Sequence, residues 1–165
     1  MSNKKIHLIA TGGTIDKQYD PLTGNLYVGD PVMPEILGVA GLSGEDLVVS
    51  EVLRKDSLDI VDAERAALAS FVAASAAERV LITHGTDTMG ASAAVIEQLA
   101  PTKTVVLTGA MVPYSISGSD AMFNVGVAYA AVQILPAGVY VAMHGKVLPY
   151  RRFVKDREAG CFRES

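Results

Sequence analysis

The chain has 165 residues, the size of one ordinary domain, and half of them are hydrophobic, aliphatic far more often than aromatic. A net charge of −4, with basic residues dispersed except near the C-terminus, speaks against a nucleic-acid-binding face. Cys161 is the only cysteine, which excludes an internal disulfide and a cysteine-based zinc site and fits a reducing compartment.

In chain order, Lys5 to Ala10 is the first short, nearly continuous apolar run, and it ends at Thr11-Gly12-Gly13-Thr14-Ile15. It is too short for the apolar region of a signal peptide, and no small-residue cleavage site follows. Asp20 to Pro34 is rich in Gly, Pro and Asp. The segment near 16–34 is therefore expected to be an irregular hairpin or a mobile loop, the kind that often serves as a lid. Leu47 to Leu53 reads as a strand. The helix after it carries Val61, Leu68, Phe71 and Val72 on one face, with Glu64, Arg65 and Glu78 off that face or at its end.

Arg79 to His84 is another buried strand, running into His84-Gly85-Thr86-Asp87-Thr88-Met89. The helix that begins there spans about Thr88 to Leu99 and stops before Pro101. Thr104 to Gly109 repeats the strand pattern. A third helix, from about Ser119 to Leu135, ends before Pro136, which has no N–H to continue it. Gly138 to His144 is the last buried strand. The longest apolar stretch, Val125 to Val141, is interrupted by Gln133, Pro136 and Gly138, so no membrane span is expected. Arg151, Arg152, Lys155 and Arg157, taken alone, read as a solvated basic tail.

Runs that are apolar on both faces belong to parallel sheets, and their alternation with helices implies right-handed crossovers. The expected fold is α/β: a doubly wound, mostly parallel sheet of the Rossmann-like or flavodoxin-like kind, three layers thick, one domain over residues 1–165. Ligands of such sheets sit outside the carboxyl ends of the strands. Three polar loops fall there: Thr11 to Asp16, His84 to Thr88 and Gly109 to Tyr114.

The first of these loops could cradle a phosphate, since its glycines permit a tight turn and close approach to a ligand. Its spacing, however, matches neither GxGxxG nor GxxxxGK[ST]. In the second loop, Asp87 or Thr88 reads most simply as a helix N-cap, and His84 as a satisfied residue at a strand end. Repetition argues for more, because two threonine-bearing glycine turns lie at one rim of one sheet.

Together, TGGTI and the HGTDTM that follows some 70 residues later resemble the bacterial-type L-asparaginase family of threonine amidohydrolases. Asp56-Ser57-Leu58-Asp59 is similar to the family's segment for the substrate α-carboxylate, and Thr108-Gly109-Ala110-Met111-Val112-Pro113 to its GAM-x-P turn. Ser119-Asp120 with Phe123-Asn124 resembles its SADGPFN segment. Val147-Leu148 and Arg151 then place Lys155 where the family carries a catalytic lysine. The match spans essentially the whole chain. Leu58 replaces a residue that is commonly polar, and Ser119-Asp120-Ala121-Met122 lacks the glycine and proline of the longer motif. Family members are usually about twice as long, with a second, smaller C-terminal domain. This chain stops ten residues after Lys155 and resembles a short, single-domain member without it.

The resemblance implies roles. Amide hydrolysis needs a nucleophile, a base, oxyanion donors and a grip on the substrate. Thr14 is the expected nucleophile, helped by a tyrosine of the mobile loop, Tyr19 or Tyr27, between which the sequence does not choose. Thr86, Asp87 and Lys155 form a second catalytic group, with Lys155 activating Thr86 or a water. Which threonine forms the acyl-enzyme stays open. Asp87 would also receive the α-ammonium, the Thr86 N–H the oxyanion, and Ser57 the α-carboxylate, with Gly13, Asp56 and Ala110 beside them on the substrate side.

The resulting expectation is an L-asparaginase converting asparagine and water to aspartate and ammonia, with no metal or cofactor. Alternatives are glutamine or another amide as substrate, or a non-catalytic amino-acid-binding domain or part of a longer enzyme. A nucleotide-binding domain is the weakest rival. No nucleic-acid or membrane partner is expected, and the chain is read as cytoplasmic. A homo-oligomer, dimer or tetramer, is expected from the missing second domain and the alanine-rich helices, and a monomeric mass by light scattering would refute that.

Overall fold

The computed structural model describes residues 5–42, 44 and 47–165. In chain order its elements are β1 (Ile6–Gly12), β2 (Lys17–Tyr19), β3 (Leu26–Val28), α1 (Met33–Val39), β4 (Leu47–Lys55), α2 (Asp62–Ala74) and β5 (Arg79–Thr83). There follow α3 (Met89–Leu99), β6 (Thr104–Thr108), α4 (Ala121–Ile134), β7 (Gly138–Met143), β8 (Lys146–Pro149), β9 (Phe153–Asp156) and β10 (Cys161–Glu164).

Six strands form the central sheet in the order β4-β1-β5-β6-β7-β8. The first five are parallel, and β8 turns back antiparallel along β7. Numbered by chain order, the parallel strands run 2-1-3-4-5, the flavodoxin-like arrangement. Its connections leave in opposite directions on either side of β1, which opens a crevice at the carboxyl ends of β1 and β5. The two threonine turns emerge there.

Alternation along the strands divides the core into two layers. Leu8, Leu81, Val106 and Ala142 face α1 and α4, whereas Ile9, Val80, Ile82, Val105, Leu107, Val141 and Met143 face α2 and α3. Both sheet faces are thereby buried, which is why these strands read as unbroken apolar runs. α4 has no charged residue along its length and leaves Met122, Phe123 and Ile134 exposed. Among the described residues no helix is long and apolar enough to cross a membrane.

Within residues 16–34, β2 pairs with β3 as a hairpin, and the segment leads into a short helix, α1, that the sequence reading omitted. Two sequence expectations need revision. Val61, at the N-cap of α2, and Phe71 are exposed, while Arg65 is buried with Leu68, Ala69 and Val72. Positions 65, 68, 69 and 72 share one helical stripe, so the arginine sits where periodicity directs it and only its charge argued otherwise. Finally, the basic C-terminal segment is not a tail but the β9–β10 hairpin.

Candidate active site

The Thr11 to Ile15 turn is built by backbone that tolerates no side chain. Gly12 has φ +90° and Gly13 φ +85°, both in the left-handed region that favours glycine. β1 shifts register between Ala10 and Gly12, so that Gly12 pairs with Lys55 and the Gly13 N–H donates to Lys55 O (2.8 Å). A β-carbon on Gly13 would lie 2.5 Å from the backbone N of Gly85, and one on Gly85 would lie 2.6 Å from the Ser57 side chain. Three loops that are distant in sequence thus meet with no room for a side chain on either glycine.

That turn separates its two threonines. Thr11 is fully buried, and its hydroxyl donates to Thr83 O (2.8 Å), tying β1 to β5. Thr14, one turn later, is half-buried at the rim, and its hydroxyl makes no hydrogen bond among the described residues. Asp16 closes the base of the β2–β3 hairpin. Its Oδ1 accepts the Val32 N–H (3.0 Å) and its backbone O the Gly29 N–H (2.8 Å), while buried Oδ2 has no partner among the described residues.

Burial pushes the Asp16 carboxyl up to about 6, although the Val32 N–H opposes the shift. The folded state therefore holds this proton more tightly than the unfolded chain. The stability it confers is complete below about pH 4 and is lost as pH rises through 6. Asp16→Asn, which cannot ionise, is expected to match the wild type near pH 4 and exceed it by up to about 3 kcal/mol at pH 7.5. Urea unfolding at both pH values checks this, and an equal difference at both would refute it.

The second turn carries the densest polar network. Lys155, on β9, donates from Nζ to Thr86 Oγ1 (2.7 Å) and to Asp87 Oδ1 (2.9 Å). The Thr86 hydroxyl proton points to the Met111 sulfur (3.8 Å), leaving its oxygen toward the lysine. Arg157 Nη2 adds a second cation to Asp87 Oδ1 (3.1 Å). Neither Asp87 nor Thr88 caps α3 with its side chain, contrary to the simple reading. Thr88 instead donates to Ser57 O (2.8 Å) and accepts from Arg65, whose guanidinium also reaches Ser92 Oγ and Ile60 O.

His84 is a structural group. It is fully buried, with Nδ1 against Gly85 O (2.7 Å) and Nε2 against Ser92 Oγ (2.8 Å). Burial lowers it to about 4, so the ring is neutral at working pH.

Ser57 is 1% exposed, yet its Oγ has no partner among the described residues. A buried hydroxyl left without a partner is unusual and marks a place where a ligand atom can bind. Beside it, Asp56 accepts Lys17 Nζ (2.7 Å) and the Leu58 N–H (3.1 Å). The Lys17 hydrogen bond, partly offset by burial, holds this carboxyl below the ordinary aspartate value, and the charge of Lys155 adds to the effect.

The third loop is clamped from α4. Asp120 accepts the N–H groups of Met111 and Val112, the Asn124 amide and His144 Nε2 (3.0 Å). Burial alone would raise the Asp120 carboxyl, but those backbone N–H groups and the histidine outweigh it and hold the group below its ordinary value. Asn124, wholly buried, donates to Gly109 O and accepts the His144 N–H. The clamp forms without the glycine and proline of the longer motif.

The structure therefore brings Gly13, Ser57, Thr86, Asp87 and Lys155 together, with Asp56 beside them and Thr14 on the adjoining turn. Ala110 is buried in the core facing α4. Tyr19 and Tyr27 lie on the hairpin, 59% and 50% exposed. Tyr27 donates to Gln18 Oε1 (3.0 Å), and neither tyrosine hydrogen-bonds Thr14. Sequence reasoning missed Arg65, Lys17 and Arg157, the last of which lies in the turn just after β9. Among the described residues, no group of three or more His, Cys, Asp or Glu side chains is placed to hold a metal ion.

Comparison with known proteins bears on this arrangement. Residues 5–161 match the family model described as Asparaginase, N-terminal. The chain is 29% identical over 163 residues to the L-asparaginase of Thermococcus kodakarensis, covering 94% of this chain and 49% of that protein. It is 34% identical over 152 residues to a glutamyl-tRNA(Gln) amidotransferase subunit of Pyrococcus furiosus, covering 86% and 34%. Among solved structures, the probable cytoplasmic L-asparaginase of Campylobacter jejuni superposes with a TM-score of 0.73 at 31% identity, over 94% of this chain and 50% of that one. The chain thus spans about a third of the amidotransferase subunits and half of the asparaginases that it matches.

Proposed function

The chain belongs to the asparaginase family of amidohydrolases, and from that premise we propose that it hydrolyses the side-chain amide of L-asparagine, releasing aspartate and ammonia. The observation that carries this reading is Lys155 Nζ at hydrogen-bond distance from both Thr86 Oγ1 and Asp87 Oδ1 on a shared rim with Thr14.

The chemistry proceeds in two halves. A threonine oxygen, Thr14 on this reading, attacks the amide carbon while its proton is passed on and the carbonyl oxygen takes the negative charge. The Thr86 N–H is the candidate donor to that oxyanion. Collapse breaks the C–N bond, the nitrogen leaves as ammonia with the added proton, and an ester remains on the threonine. Lys155 takes a proton from Thr86 or from the water that hydrolyses the ester. Ser57 Oγ, buried and unpartnered, donates to the substrate carboxylate, and Asp87 accepts from an ammonium. Tyr19 or Tyr27 assists Thr14 only if the hairpin closes over it.

A second reading keeps the chemistry and changes the substrate. The 34% identity to a glutamyl-tRNA(Gln) amidotransferase subunit supports work within a larger assembly, with glutamine as the candidate amide. An ammonia-release assay with L-asparagine, L-glutamine and their D-forms decides. Release from L-asparagine supports the first reading and release from glutamine alone the second, whereas release from none overturns both.

A further inference from the structure

Asp87 serves two cations through one oxygen. Lys155 and Arg157 both reach Oδ1, at 2.9 and 3.1 Å, and the Lys155 side chain is 16% exposed against 66% for Arg157. Lys155 is shared with Thr86, but among the described residues Asp87 is the only hydrogen-bonding or ionic partner of Arg157. Next along the rim, Lys17 and Asp56 neutralise each other at 2.7 Å. Asp87 therefore already has two partners beside Thr86 before a substrate arrives. Thr86, Asp87, Thr88, Lys155 and Arg157 line a cleft of about 360 Å³ with the start of α3. That volume is at the small end for a ligand site.

Such a charge balance treats two kinds of amide differently. Asparagine brings a carboxylate and an ammonium, and the ammonium must share Asp87 with Arg157 and lie beside its positive charge. An amide with the carboxylate but no ammonium meets no such competition, and its negative end is drawn to the same cations. Resting on the amidohydrolase reading above, we propose that Arg157 is a specificity-determining residue that competes with a substrate ammonium for Asp87, so that the site takes a monoamide of a plain dicarboxylic acid, succinamate, at least as well as asparagine.

Arg157 is exposed, so its replacement is expected to leave the fold intact. The test compares kcat/KM for succinamate and asparagine in the wild type, Arg157→Gln and Arg157→Lys, together with calorimetric binding of the products succinate and aspartate. The wild-type ratio of succinamate to asparagine is expected at or above one. It falls about fivefold in Arg157→Gln, the effect of an exposed ion pair, because asparagine gains, and it stays near wild type in Arg157→Lys. Product binding shifts the same way, from succinate toward aspartate. An unchanged ratio with active enzyme overturns the Arg157 assignment alone. No ammonia from either amide, with the shift in product binding retained, overturns the amidohydrolase reading alone, and the absence of both overturns both.

Discussion

Thr14→Ala and Thr86→Val are each expected to lower ammonia release from asparagine by about a thousandfold or more while the protein still unfolds cooperatively. The two losses should be alike in rate and unlike in stability. The Thr14 hydroxyl makes no hydrogen bond among the described residues, so its removal leaves the melting temperature nearly unchanged. The Thr86 oxygen accepts from Lys155 at 2.7 Å, and valine leaves that donor one partner short. About 1 kcal/mol of stability goes with it, a few degrees for a chain of this size. Steady-state rates and calorimetric melting check both halves, and near-wild-type turnover in either variant would sink the two-threonine mechanism.

Lys155→Met should be equally inactive, and Lys155→Arg should not rescue it. Methionine fills the same length without a nitrogen, and Arg157 still neutralises Asp87, so the β9–β10 hairpin keeps an ionic tie to the second turn. Arginine restores positive charge at Asp87 but cannot shed a proton at any usable pH. The pair of variants thereby separates proton transfer from charge. If Lys155→Arg retained turnover within tenfold of the wild type, Lys155 would be an electrostatic anchor and the base would lie elsewhere.

The sheet was legible because the physics that shapes it is local to each strand. Leu8 and Ile9 are both buried since α1 and α4 cover one face and α2 and α3 the other, and that demand writes itself as an unbroken apolar run. The Gly12-Gly13 and Gly85 turns were legible for a similar reason, since left-handed backbone and close approach leave few residue choices. The groups that were missed depend on partners far along the chain. Arg65 is buried only because Ile60 O, Thr88 and Ser92 are there to satisfy it. Lys17 meets Asp56 across 39 residues, and Arg157 meets Asp87 across a longer gap still. Without the family resemblance even Lys155 would have stayed in a solvated tail, because nothing within several residues marks it as half-buried.

Lys155 rides on a two-stranded hairpin that shares no ladder with the central sheet. Phe162, stacked on Phe153 and edge-on to His144, fastens that hairpin, helped by Lys146 Nζ donating to Phe162 O (2.7 Å). The threonine turns lie on the central sheet and the lysine on this separate ladder, so the hairpin is expected to open at lower free energy than the whole. Heat or mild denaturant should silence the enzyme before the domain melts, with β9 and β10 amides exchanging ahead of those in β5 and β6. Competence and foldedness then have separate thermal ceilings, and the lower one is set by a few aromatic rings near the C-terminus.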